Sequence, residues 1–194
     1  MNVGIAPCVV ERYKNQFEYC IDLKLIKFLK KCFKNNSKIS ILDSKTKLSQ
    51  FDLIVITGGN DLVNFNQQKN NIIRNKNTLS ILKKSLKLRK NILAICYGCL
   101  FISSIFGSRI IKDKKHRKKH YIEIDNKKKL VNSYHNYKIL KINKKFDVIA
   151  KGFDDSVEAF ASKKKKILSI MWHPERYKRF KNLDFTLIKK YLKL

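Results

Sequence analysis

Apolar residues recur along this chain in two alternating rhythms. Short runs at Asn2 to Ala6, Lys38 to Leu42, Asp52 to Thr57 and Ile92 to Cys96 are compact and rich in Val, Ile and Leu, as strands buried on both faces of a parallel sheet require. Between them, Phe17 to Phe33 places Ile21, Leu25, Phe28, Leu29 and Cys32 at helical spacing, and Thr78 to Leu88 repeats its apolar positions near the same period. A further helix is expected after Tyr97. From Arg109 onward the rhythm shortens: Tyr121 to Ile124, Lys138 to Ile142, Ser156 to Ala161 and Ile167 to Met171 read as strands with tight connections, and Phe185 to Leu192 as a closing helix. This order predicts an α/β fold, with a parallel sheet covered by helices on both faces. No internal repeat or disordered linker interrupts it, so residues 1–194 are expected to form one domain.

Composition narrows the function classes. The longest apolar runs, such as Ile92 to Ile95 and Leu100 to Ile102, fall far short of the roughly 18 to 20 residues of a membrane span, and the N-terminus lacks the layout of a secretory signal. A cytoplasmic protein with no membrane partner is expected. Five irregularly spaced cysteines, an odd number, give no disulfide framework. The formal net charge of +29 invites a nucleic-acid reading, but only seven of the 44 basic residues are arginine, whose planar fork suits phosphate and base recognition. Lysines cluster at Lys112 to Lys119, Lys127 to Lys129 and Lys163 to Lys166 and come with abundant Asn and Ile, which reads as compositional bias laid on solvated turns and edges. His116 and His120 sit among these lysines and are expected to be solvated.

Candidate chemistry starts at Cys96. A strand running directly into Cys96-Tyr97-Gly98 and then into an apolar helix is the layout of a nucleophile elbow. Unpaired N–H groups at the helix start favour a thiolate there, and glycine keeps the turn narrow. Other readings stay open: Cys96 and Cys99 form a C-x-x-C that could be a redox pair, a zinc site would need ligands that Cys8, Cys20 and Cys32 do not supply at close spacing, and Cys96 could be one more buried thiol. A nucleophilic thiol needs a base. His173 ends an apolar strand and is followed by Pro174 and Glu175, so the carboxylate two residues on can bond one ring nitrogen while the other faces the thiol.

Taken together, Cys96-Tyr97-Gly98 and His173-Pro174-Glu175 resemble the class I glutamine amidotransferase superfamily. The resemblance extends to Val55 to Asp61, Val131 to Tyr137 and Ser156 to Ala161, and these stretches are more typical of its gamma-glutamyl hydrolase branch. Within that branch, the Gly-Gly-Asn-Asp and Asn-Ser-Tyr-His-Asn stretches are most similar to gamma-glutamyl-CDP-amidate hydrolases of bacterial capsule synthesis. The likeness implies a flavodoxin-like three-layer α/β/α fold, its central sheet mostly parallel with a small antiparallel β extension. It implies Cys96 as nucleophile, His173 as general base and acid, Glu175 as its orienter, and the backbone N–H groups of Gly59 and Tyr97 as oxyanion donors. Gly58, Asn60, Asp61 and His135 become candidate substrate contacts, although turn formation suits Asn60 and Asp61 equally and a polar network beneath the site suits His135. The implied activity is cysteine-dependent hydrolysis of a small gamma-glutamyl amide without metal or organic cofactor. The alternatives are a glutaminase subunit serving a separate synthase partner and, outside this chemistry, a basic nucleic-acid-binding protein. Three positions depart from the family pattern: Tyr97 stands where many relatives have arginine, Asn136 where a second histidine is common, and Thr78 where an acidic residue is frequent.

Overall fold

The computed structural model describes residues 1–193. In chain order the elements are β1 (Asn2–Ala6), β2 (Cys8–Tyr13), β3 (Gln16–Cys20), α1 (Leu23–Cys32), β4 (Lys38–Ile41), β5 (Leu53–Ile56), α2 (Lys69–Lys87), β6 (Asn91–Ile95) and α3 (Tyr97–Ile105). They are followed by β7 (Arg109–Lys112), a 3-10 turn at Lys114–Arg117, β8 (His120–Ile124), β9 (Lys127–Val131), β10 (Tyr137–Lys141), β11 (Asp147–Gly152), β12 (Val157–Ser162), β13 (Ile167–Ile170), a second 3-10 turn at Pro174–Arg176 and α4 (Asn182–Leu192).

Nine strands make one sheet in the order β4-β1-β5-β6-β13-β12-β11-β8-β9. The first five are mutually parallel, and the last four continue the sheet antiparallel. Strand residues alternate between its faces. Val3, Ile5, Leu53, Val55, Leu93, Ile95, Leu168 and Ile170 join Phe28, Leu29, Leu187 and Ile188 of α1 and α4, whereas Ile54, Ile56, Ile92, Ala94 and Ile167 join Ile81, Leu82, Leu100 and Phe101 of α2 and α3. Helices on both faces exclude water from the central strands, which is why these strands carry no polar stripe. On the first face Phe28 stacks on Phe185 and meets Phe180 edge-on, each with ring centroids 5.3 Å apart. Burying such a ring contributes about 1.5–3 kcal/mol.

The expected helix over Phe17 to Phe33 is shorter than its periodicity suggests. Gln16–Cys20 is a strand that pairs with Cys8–Tyr13 as a hairpin, and α1 begins only after Asp22, whose carboxylate accepts from the Lys24 amide at 2.9 Å. That cap stops the helix from extending back through Phe17. β7, β9 and β11 also lie outside the expected set. β9 reads as a lysine run, yet Asp125 and Asn126, both at positive φ, form a two-residue turn that folds it onto β8. Lys127, Lys128 and Lys129 thus lie on the edge strand of the sheet, where charge discourages pairing with another chain. Lys163 to Lys166 form the connection between β12 and β13. Among the described residues, no helix is long and apolar enough to cross a membrane.

The helix after the elbow packs unusually close to the sheet. A Cβ added at Gly98 would lie 2.4 Å from the main-chain oxygen of Ile56 and 3.0 Å from its side chain. Backbone cannot yield as a flexible side chain can, so Gly98→Ala is expected to cost at least about 1–3 kcal/mol, the range typical of overpacking. Urea denaturation monitored by circular dichroism measures this, and an unchanged midpoint would disprove the close approach.

Candidate active site

Ligands of open α/β sheets bind beyond the carboxyl ends of the strands, and three neighbouring strands end together here. β5 runs out through Thr57 into Gly58 and Gly59, β6 into Cys96, and β13 through Met171 and Trp172 into His173. A cleft of about 400 Å³ opens above them, lined by Gly59, Cys96, Tyr97, Tyr134, His173 and Arg176 among others. The hairpin of β2 and β3 supplies one wall through Cys8, Val9 and Val10. That wall was hidden in the sequence because Phe17 to Cys20 also fits a helical period.

Cys96 caps α3 with φ 50° and ψ −100°, a backbone state rarely held by a side-chain-bearing residue. Its amide donates to the Ile170 carbonyl at 2.8 Å and its carbonyl accepts from Leu100 at 3.0 Å, so strand and helix grip the turn from both sides. The amide of Tyr97 is the first of α3 and has no acceptor within the helix. Cys99 lies fully buried on α3, where loss of solvation raises its thiol well above the ordinary pKa. All five cysteines are free thiols.

His173 is 1% exposed and its position is held at several points. Its amide donates to Asn132 Oδ1 and its carbonyl accepts from Asn132 Nδ2, both at 2.8 Å, and the ring of Tyr134 stands edge-on at 5.4 Å. Nδ1 is 2.6 Å from Glu175 Oε1, which directs Nε2 to the thiol of Cys96. A Cβ on Gly58 would lie 2.5 Å from Cε1 of His173, 3.2 Å from its Nε2 and 3.4 Å from the Cβ of Cys96. The three residues are therefore packed together, and only glycine leaves room at position 58. Burial alone would push the imidazole pKa down, but the charge and hydrogen bond of Cys96 and the carboxylate of Glu175 outweigh it, raising the value to about 9.

The candidate substrate contacts divide differently. Asn60, at φ 56°, accepts from the Val9 amide and donates to the Val9 carbonyl, both at 2.8 Å, so its side chain ties the glycine turn to β2. Asp61 accepts from the Tyr137 hydroxyl at 2.7 Å and from Asn66 Nδ2 at 3.1 Å. Both line the cleft while serving as turn-holding residues. His135 is 3% exposed and points down toward Glu158, whose Oε2 lies 3.9 Å from its Nε2. His116 and His120 point to the same carboxylate, each at 3.4 Å. The expectation that these two are solvated is thus wrong: His116 is 7% exposed and His120 partly buried, because β8 pairs with β11 next to β12 and both rings turn in toward Glu158.

Arg74 is a supporting residue that its sequence neighbourhood did not announce. It lies on α2, fully buried, with its guanidinium 4.8 Å from the Tyr97 ring centroid and donating to the carbonyls of Ala6 at 2.9 Å and Thr57 at 3.0 Å. It braces the strand end that leads into Gly58 and Gly59.

The family model for class-I glutamine amidotransferases matches residues 12–186. A gamma-glutamyl-CDP-amidate hydrolase of Campylobacter jejuni is 29% identical over 84% of this chain and 85% of its own length. A glutamine amidotransferase-like protein of Lactococcus lactis is 30% identical over 68% of this chain and 69% of its own. Among solved structures, a glutamine amidotransferase of Thermotoga maritima superposes with a TM-score of 0.67 at 16% identity, over 90% of this chain and 75% of that one, a likeness of fold.

The causes of the raised His173 pKa can be separated by titration. Replacing Glu175→Gln is expected to lower it from about 9, and Cys96→Ala to lower it further, because burial then meets fewer opposing charges. Imidazole nitrogen NMR against pH measures both, and a value unmoved by either change would contradict the packing of the three side chains.

Proposed function

This chain belongs to the class-I glutamine amidotransferase family, and from that membership we propose that it hydrolyses the amide bond of a small gamma-glutamyl compound, with Cys96, His173 and Glu175 as its catalytic residues. The observation that carries the reading is the packing of Cys96, on a strained backbone, beside an imidazole that is held by a buried carboxylate at 2.6 Å, inside one cleft.

Each step draws on residues that line the cleft. The Cys96 thiolate attacks the delta carbonyl carbon of the substrate, forming a C–S bond, and the oxygen takes up the displaced electron pair. Backbone N–H groups of Gly59 and Tyr97 stabilise that oxyanion, each donor being worth about 3–4 kcal/mol of barrier in comparable sites. The C–N bond then breaks, and His173 gives its Nε2 proton to the departing amine. Acylation also removes the thiolate charge that helped raise the imidazole pKa, so burial regains weight and the ring becomes a better base. Neutral His173 takes a proton from water, the new C–O bond forms, and cleavage of C–S returns glutamate and free Cys96.

For the amine half we favour a CDP-amidate, as in the name of the Campylobacter jejuni relative. Arg176 at the cleft wall is the nearby cation for a diphosphate: its guanidinium lies 4.7 Å from the Tyr134 ring centroid and 3.4 Å from Asp22. A role in capsule phosphoramidate synthesis would follow from that substrate.

The purified chain alone is expected to release glutamate from a panel of gamma-glutamyl amides, with the CDP-amidate outcompeting glutamine. Cys96→Ala should reduce the rate by at least about 10³-fold without loss of fold. Release that depends on a second protein would instead favour the synthase-coupled glutaminase, and equal turnover of glutamine would remove the nucleotide from the proposal. Because the raised His173 pKa keeps the imidazolium below about 9, kcat/KM is expected to hold through neutrality and fall as pH rises through that value. Stopped assays from pH 6 to 10 measure the alkaline limb, and its absence would argue against His173 as the acid.

A further inference from the structure

Beneath the cleft, four side chains from distant parts of the chain converge on one point. His116 comes from the 3-10 turn, His120 from the start of β8, His135 from the loop before β10 and Glu158 from β12. One ligand-type atom from each lies within 4.8 Å of the others. Nδ1 of His116, Nε2 of His120, Nε2 of His135 and Oε2 of Glu158 are all buried and have no hydrogen-bond partner. Four orphaned polar atoms facing one another cost far more than the few such atoms a native interior tolerates, and each calls for an explanation.

The opposite nitrogen of every ring is engaged. His116 Nε2 is 2.7 Å from Asp154 Oδ2, His120 Nδ1 is 3.0 Å from the Lys118 carbonyl, and His135 Nδ1 is 2.7 Å from the Tyr137 carbonyl. A neutral imidazole that donates N–H to an oxygen presents a lone pair at its other nitrogen, so with the rings neutral, as a bound metal requires, all three would offer lone pairs to the same centre. This is how metal-bound histidines are oriented, and the contact from Asp154 to His116 is the carboxylate–histidine arrangement common in zinc sites. The spacing is slightly wider than a loaded site, with the four ligand atoms within 4.8 Å of one another. Zinc–nitrogen bonds of about 2.0–2.1 Å place tetrahedral ligands about 3.3–3.4 Å apart. Oε2 of Glu158 lies 3.4 Å from His120 Nε2 and 3.9 Å from His135 Nε2, and its Oε1 lies 3.4 Å from His116 Nδ1, so a small inward shift of the four side chains closes the tetrahedron.

We propose that His116, His120, His135 and Glu158 bind one divalent zinc ion in a closed, tetrahedral structural site. Three imidazoles and a carboxylate suit zinc among common metals, and four protein ligands leave no open position for chemistry. The ion would tie the 3-10 turn, β8 and β12 to the loop that carries His135. That loop also presents Asn132 and Tyr134 to His173, so the metal would hold the floor beneath the thiol and imidazole. The hydrolytic steps proposed above do not pass through it, and this departs from the sequence-based expectation of a protein without metal.

The test uses the full chain without an affinity tag, expressed in zinc-supplemented medium, with readouts independent of hydrolysis. Elemental analysis is expected to find about one zinc per chain. Removing it with a chelator should lower Tm, and adding zinc back should restore it. Replacement by Co2+ should produce the intense visible bands of a tetrahedral centre. Asp154→Asn, at an exposed carboxylate that also pairs with Lys138 and Ser156, should weaken zinc about 10- to 100-fold in competition with a chromophoric chelator, and His120→Ala should weaken it more. Cys96→Ser should retain the metal in full. The proposal is overturned if the purified chain holds no stoichiometric metal and zinc fails to bind or raise Tm. Zinc retained by His120→Ala but lost from Cys96→Ser would overturn it equally, since the ion would then belong to thiols.

Discussion

The alignment of three parallel strand ends is the constraint on which the cleft depends. Ile56 of β5 stands opposite Ala94 of β6, and Ile95 of β6 opposite Ile170 of β13, so Gly58, Cys96 and His173 emerge side by side at one edge. A slip of one residue in any of these pairings would turn every apolar side chain of that strand to the other face. Because helices cover both faces, the core resists such a slip throughout the length of the strands. The same pairing pays for the strained backbone at Cys96, of order 1–3 kcal/mol, through the hydrogen bond from its amide to Ile170 and the close seat of α3 on Ile56. The cleft and the stability of the fold are thus linked through one turn.

The loop between β9 and β10 joins two buried polar assemblies. Its Asn132 clasps the main chain of His173 above, and its His135 enters the histidine and glutamate group below. Ser133 between them donates to the His116 carbonyl, so consecutive residues hold both assemblies in register. Loops of this kind are costly to bury unless their polar groups find partners, and here the partners also define the cleft floor. The antiparallel half of the sheet therefore contributes to the site through support, while the parallel half supplies the thiol, the imidazole and the glycine turn.

Two of the lysine clusters lie at the margins of the sheet. Lysines occupy the edge strand β9 and the connection between β12 and β13, where their long stems reach solvent. The basic side chain bordering the cleft is Arg176, which already faces Asp22 and Glu175 at 3.4 and 3.8 Å. Exposed lysines act beyond the cleft as a field, screened within about 8–10 Å at ordinary salt.

How much could be read from the sequence depended on how local each feature is. Cys96 with its strand, turn and helix, and His173 with Glu175, are each written within about ten residues, and their residue types follow from the covalent chain and its short-range geometry. The central strands and α3 were legible for the same reason, since burial on two faces leaves an uninterrupted apolar run. The hairpin of β2 and β3 was not, because Phe17 to Cys20 satisfies two periods and only packing against the cleft chooses between them. β9 was obscured by its lysines. His116-x-x-x-His120 did carry a ligand-like spacing, but its lysine neighbours suggested solvent, and nothing local pointed to His135 or Glu158 as partners. The sequence by itself determined the central strands and marked Cys96 and His173 at their ends as candidates. Tertiary structure alone decided that three histidines and a glutamate share one buried centre, because residues separated by up to 42 positions meet only when sheet pairing closes the loops between them.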